Sequence, residues 1–110
     1  TMVRLTAYEK AGFKMVDPEL VSYLQPDFRD PAEIDHSSGP QQLPLTLMLR
    51  RIGREAEDFV SGAEILHGVK ALYKMYAAEF RAADMDQVYD SLKAYPAPGD
   101  RILLKPPTSR

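Results

Sequence analysis

The sequence predicts a mainly α domain, a small bundle of three helices at about residues 44–59, 62–83 and 85–95. Three observations carry that expectation. Residues 45–95 contain no proline, whereas 17–44 carry five and the stretch from Pro96 carries four. Proline interrupts a helix by removing a donor and clashing with the preceding turn, so long helices belong in the proline-free run. Within that run apolar residues recur at helical spacing. Ser61-Gly62-Ala63-Glu64 completes the case as a capping box at the head of the middle helix.

The first 16 residues read as a minor β-hairpin. Val3, Leu5 and Ala7 alternate with Arg4, Thr6 and Tyr8, a glycine-containing turn follows at Glu9–Gly12, and Phe13-Lys14-Met15 alternates again. An amphipathic helix over the same residues is the competing reading, and α+β is the runner-up class. Residues 17–43 form a proline-rich connecting segment with short helices. Asp17-Pro18-Glu19 is one helix start, with Leu20, Val21 and Leu24 on a shared face, and Asp30-Pro31-Ala32-Glu33 is a second.

In the first main helix Leu45, Leu49, Ile52, Ala56 and Phe59 make the apolar stripe, although Leu43, Leu45, Leu47 and Leu49 also alternate as a strand does. In the second, Ile65, Val69, Leu72, Tyr76 and Phe80 form the face, with Val60 and Ile65 placed as a hydrophobic staple. The stripe of Met85, Val88, Leu92 and Tyr95 is out of phase with it. A break near Asp84 follows, with a third helix beyond it. The tail 96–110 offers one strand at 101–105, the natural partner of the hairpin.

The 110 residues are 45% hydrophobic and 27% charged, which fits one domain over 1–110. Fourteen Lys and Arg against sixteen Asp and Glu leave a net charge of −2, so no whole-molecule field points to nucleic acid or membrane. Without cysteine there are no disulfides, thiolate nucleophiles or Cys-based metal sites. No apolar run approaches the ~18 residues of a spanning helix, and Thr1-Met2-Val3-Arg4 begins no secretory segment. An intracellular, cytoplasmic protein without membrane association is expected.

Chemistry-bearing motifs are sparse. Asp35-His36-Ser37-Ser38 contains the letters of a hydrolase triad, but sequence neighbours point apart and the flanks read as a turn. His36 and His67 are the two histidines and lack metal-ligand spacing, and the scattered glycines form no phosphate loop. No catalytic residue, metal or cofactor is expected. Two surfaces stand out instead. Arg50, Arg51, Arg54, His67, Lys70, Lys74 and Arg81 fall on the polar faces of the first two helices, as a basic partner-binding set. Leu47, Met48, Tyr73 and Tyr76 widen the apolar faces beyond one core, as an apolar partner-binding set.

Leu49-Arg50-Arg51-Ile52-Gly53-Arg54-Glu55-Ala56, with Ile65-Leu66-His67-Gly68-Val69, resembles the C-terminal nucleocapsid-binding domain of rhabdovirus phosphoproteins. The resemblance implies a helical domain whose basic patch binds a nucleoprotein. It spans a minor part of the chain and includes no diagnostic motif, so it supplies an alternative and not a family. The function expected first is a non-catalytic protein-interaction domain, an adaptor, chaperone-like or regulatory subunit that binds another protein or itself as a homodimer. Nucleic-acid or nucleoprotein binding through the basic set is the second expectation. A small enzyme using His36 or His67 is the third.

Overall fold

A computed structural model describes residues 2–108; Thr1 and residues 109–110, at the extremes of the expected hairpin and tail, lie outside the described residues. The fold is α+β, 41% helical and 18% strand, and this overturns the mainly α bundle. In chain order it comprises α1 (Met2–Lys10), β1 (Lys14–Val16), β2 (Tyr23–Gln25), α2 (Pro31–His36), β3 (Leu43–Leu45) and β4 (Met48–Leu49). β5 (Phe59–Ser61), α3 (Gly62–Ala77), α4 (Ala82–Ser91), a 3-10 turn (Leu92–Ala94) and β6 (Arg101–Lys105) follow.

β4, β1, β6 and β5 form a curled antiparallel sheet in that order, a half-barrel, while β2 and β3 pair as a second small sheet. The two are continuous in space. Lys14 faces Leu49 and Met15 faces Met48, the Val16 N–H donates to the Leu47 carbonyl at 2.9 Å, and pairing resumes at Tyr23 opposite Leu45. Residues 17–22 bulge out opposite a single Thr46, and an insertion of that kind bends a ladder.

The expected helix over 44–59 does not form. Two periodicities compete in this stretch, and the strand wins because β1 and β2 supply backbone partners for Leu43–Leu49. The helical stripe would have aimed Ile52 and Phe59 inward, yet Ile52 is 82% exposed; the alternating set puts Leu47 in the core. Gly53 at φ +81° then occupies left-handed backbone, which a helix cannot continue through. Pro44 is tolerated because β3 is an edge strand.

The N-terminal hairpin is corrected in the same way. Residues 2–10 are helix, and only Lys14–Val16 is strand. Glu9–Gly12 is a helix stop. The Phe13 N–H bonds to the Tyr8 carbonyl, the Gly12 N–H to that of Glu9, and Gly12 takes φ +93°. This is a Schellman ending, and the Tyr8–Phe13 ring contact at 5.7 Å is its usual apolar partner. The helix expected from Asp17 is a single turn, closed by Asp17 Oδ1 accepting from Glu19 N. The helix begun at Pro31 does form, as α2.

α3 starts as the capping box requires, with Ser61 Oγ accepting from Glu64 N at 3.1 Å and Val60 and Ile65 both buried. It ends at Ala77, and α4 starts at Ala82, so the break precedes the expected position near Asp84. Asp84 is the third residue of α4, where its carboxylate accepts from Arg81 Nε at 2.7 Å. β6 is the expected strand at 101–105 and pairs with both β1 and β5. Ile102 and Leu104 point inward from it, meeting Val16, Val60, Ile65, Val69, Tyr73, Met85 and Val88 in one core between the concave sheet and α3–α4.

The ion pair of buried Asp27 with Arg29 ties the two ends of segment 26–41 together. Asp27 is 5% exposed and accepts a two-pronged fork from Arg29, at 2.7 Å from Nη2 and 3.1 Å from Nε, plus the backbone N–H groups of Arg29 and Gln41. The Arg29 fork, and then those backbone donors, hold the Asp27 carboxyl well below its usual range. A folded-state pKa below the unfolded one gives stability that is complete above the unfolded value near 4 and fades as pH falls. Asp27→Asn is therefore expected to lower the thermal midpoint at pH 7. The gap to wild type should close as pH drops below about 4. Melts across that range check it, and a gap independent of pH would show that charge is not what Asp27 contributes.

Candidate functional site

The three arginines expected on a helix face lie in the 50–58 loop and are committed to carboxylates of the same chain. Arg54 forks onto Glu57 at 2.7 and 2.9 Å and reaches Glu64 at 3.3 Å. Arg51 is the most enclosed, its side chain 10% exposed. It donates to the Phe59 carbonyl at 2.7 Å, and its Nε lies 2.7 Å from Glu64. Arg50 sits 3.9 Å from Glu55. The fork from Arg54 pulls the Glu57 carboxyl below its ordinary range, as close pairing does. Arg81 is spent likewise, at 3.1 Å from Asp35 and 2.7 Å from Asp84, pinning α2 to the α3–α4 turn. His67, Lys70 and Lys74 remain exposed on the back of α3, with no ion pair among the described residues. The structure does not gather the seven residues into one patch.

The apolar set separates too. Tyr73 is fully buried, stacked on Tyr23 at 5.9 Å, with its hydroxyl donating to the Leu24 carbonyl at 2.7 Å. Burial pushes the phenols of Tyr73, Tyr23 and Tyr95 upward. Tyr76 is half-buried beside Phe80 and Phe28, and Phe28 lies stacked on Phe80 at 5.3 Å, half in solvent. Leu47 belongs to the core at 5% exposure, so a charge there would unfold the chain rather than test a surface.

Leu47 and Met48 nonetheless meet at one concavity. Between α1, the bend at Thr46 and the flank of α3 lies a groove of about 380 Å³, lined by Tyr8, Phe13, Tyr23, Thr46, Leu47, Met48 and Leu72. No lining residue is charged. Leu72 stands 36% exposed at its rim because the core-facing stripe of α3 is centred on Ile65, Val69 and Tyr73, and Leu72 falls to one side. Sequence reasoning missed Tyr8, Phe13, Tyr23, Thr46 and Leu72 as site residues. The signal for the first two was the helix stop at Gly12; Leu72 reads as part of the core-facing stripe, and only the structure sets it to one side.

His36 and His67 are exposed, on α2 and α3, and the Asp35 carboxylate turns to Arg81. Among the described residues no three His, Asp or Glu side chains are grouped to hold a metal ion. No helix of the described residues is long and apolar enough to cross a membrane. No family model, curated protein or solved structure matches the chain.

Proposed function

We propose that this chain is a non-catalytic protein-interaction module whose docking site is the groove beside α1. The observation that carries the reading is the uncharged groove of Tyr8, Phe13, Met48 and Leu72 at the surface of a chain whose core is already filled by other side chains. A concavity with aromatic walls and no charge accepts an apolar anchor, and such anchors buried in pockets supply most of the energy of protein interfaces. The basic reading has less to stand on, since the four arginines satisfy carboxylates of their own chain.

A peptide library displayed on phage tests the proposal. Selected peptides should share an apolar or aromatic anchor, and Leu72→Glu should weaken them by roughly 30-fold, the loss expected at a hot spot. The variant's thermal midpoint should stay near wild type, because Leu72 is partly in solvent. Peptides that bind wild type and variant alike, or a library that yields none, would remove the groove as the docking site.

A further inference from the structure

A second cleft, of about 220 Å³, opens between residues 28–34 and the turn from α3 into α4 at 79–84, and it shares no residue with the groove beside α1. We propose that this cleft binds an alkylammonium group, a positive charge on an apolar stem. Phe28, Phe80 and Ile34 take the stem, and Asp30, Glu79 and Asp84 take the charge.

The sign of the ligand follows from which charges are already used. Arg29 and Arg81 line the cleft, but Arg29 is forked onto Asp27 at 2.7 Å, and Arg81 reaches Asp35 at 3.1 Å and Asp84 at 2.7 Å. What remains is negative. The carboxylates of Asp30 and Glu79 carry no hydrogen bond or ion pair among the described residues. Asp84 is the buried member, its side chain 7% exposed. Its Oδ2 accepts from Arg81 Nε, and its Oδ1 takes no bond among the described residues. A single guanidinium therefore serves both Asp35 and Asp84, and a buried carboxylate with a spare acceptor oxygen draws a cationic donor.

The size of the ligand follows from the spacing and the walls. Among the described residues no three carboxylate or imidazole side chains are grouped closely enough to hold a metal ion, so the charges suit a larger cation. Phe28 stacks on Phe80 at 5.3 Å and stands 53% exposed, which leaves aromatic surface open. Ring faces are the negative part of an aromatic quadrupole, and ammonium groups are attracted to them. Both sides of the cleft are fixed before a ligand arrives, one by the Asp27–Arg29 pair and the other by the Arg81 bridge to Asp35. Such a site pays little to order itself on binding.

Titration of the isotope-labelled chain with n-butylammonium chloride at constant ionic strength, followed by NMR, tests this. Amides of the cleft segments should shift and saturate with a dissociation constant of about 1 mM, within reach of a ligand of about five heavy atoms. n-Butanol, the same stem without the charge, and acetate should leave them in place. Phe28→Ala and Glu79→Gln should each weaken binding by about 5-fold, the loss of one cation–π contact or one exposed ion pair. Amides outside the cleft should stay where wild type has them, because both side chains stand in solvent and the fold survives their loss. N-acetyl-lysine amide separates the sources of the ammonium. Binding as tight as that of n-butylammonium would assign the cleft to a lysine of a partner protein, and its failure beside a bound n-butylammonium would assign it to a free small amine. No saturation, an equal response to n-butanol or acetate, or an affinity unchanged in either variant would overturn the site. Shifts spread over every exposed carboxylate would do the same, as the mark of a counterion atmosphere.

Discussion

Gly62→Ala is expected to destabilise the protein by about 3 kcal/mol, the upper part of the range for overpacking, and to lower the thermal midpoint by more than 10 °C or so. Gly62 is the first residue of α3, and a methyl group there would drive into the carbonyl oxygen of Ala97 and crowd that of Pro96. Backbone cannot swing aside as a side chain does. The chain comes this close because the turn at 97–100 satisfies the head of α3: Gly62 N–H donates to the Asp100 carbonyl at 2.9 Å and Ala63 N–H to that of Pro98 at 3.1 Å. Displacing the turn would strand those donors and pull on β6, which begins at Arg101. Gly68→Ala is the internal control. It lies mid-helix with open space at its Cβ position, so the same methyl should stabilise by about 0.5–1 kcal/mol. Thermal melts of the two variants should move in opposite directions; equal shifts would mean that the Ala97 contact does not decide the first.

What the sequence made legible was local. The Ser61 capping box, the staple of Val60 and Ile65, the helix start at Asp30-Pro31 and the strand at 101–105 depend on neighbours along the chain, and each stands where the residues place it. Leu43–Leu49 was undecidable by the same means. Its alternation and its helical stripe are both present, and only the pairing with β1 and β2, about 20 to 35 residues upstream, selects one. Glu9–Gly12 failed for a different reason. A helix with a Schellman ending and a hairpin turn both want glycine in left-handed backbone, so Gly12 announces a reversal without saying what precedes it.

The candidate site was legible in part because Leu47 and Met48 carry too much apolar surface for a solvated helix. Their separation into core and rim was hidden, since strand geometry sends consecutive residues to opposite faces. The arginine cluster was visible, but only part of its neutralisation was. Glu57 is close in sequence to Arg54, whereas Glu64 reaches Arg51 and Arg54 only because the 50–58 loop folds back on the head of α3.

Tyr73 is where the two sheets and the helical layer are tied together, and its replacement by alanine is expected to cost about 4 kcal/mol. The ring is fully buried, parallel to Tyr23 of β2 and edge-on to Tyr89 of α4 at 6.0 Å. The core is closed on every side of it, so alanine leaves a cavity that the sheet and helices cannot collapse to fill. Tyr73→Phe keeps the ring and removes the hydroxyl that donates to the Leu24 carbonyl at 2.7 Å. That variant should lose about 1–2 kcal/mol, the cost of a buried acceptor left unpaired. Chemical denaturation of the pair separates packing from hydrogen bonding. A phenylalanine variant as unstable as the alanine one would assign the contribution to the hydroxyl, and an alanine variant losing no more than about 1 kcal/mol would mean the layers are joined elsewhere.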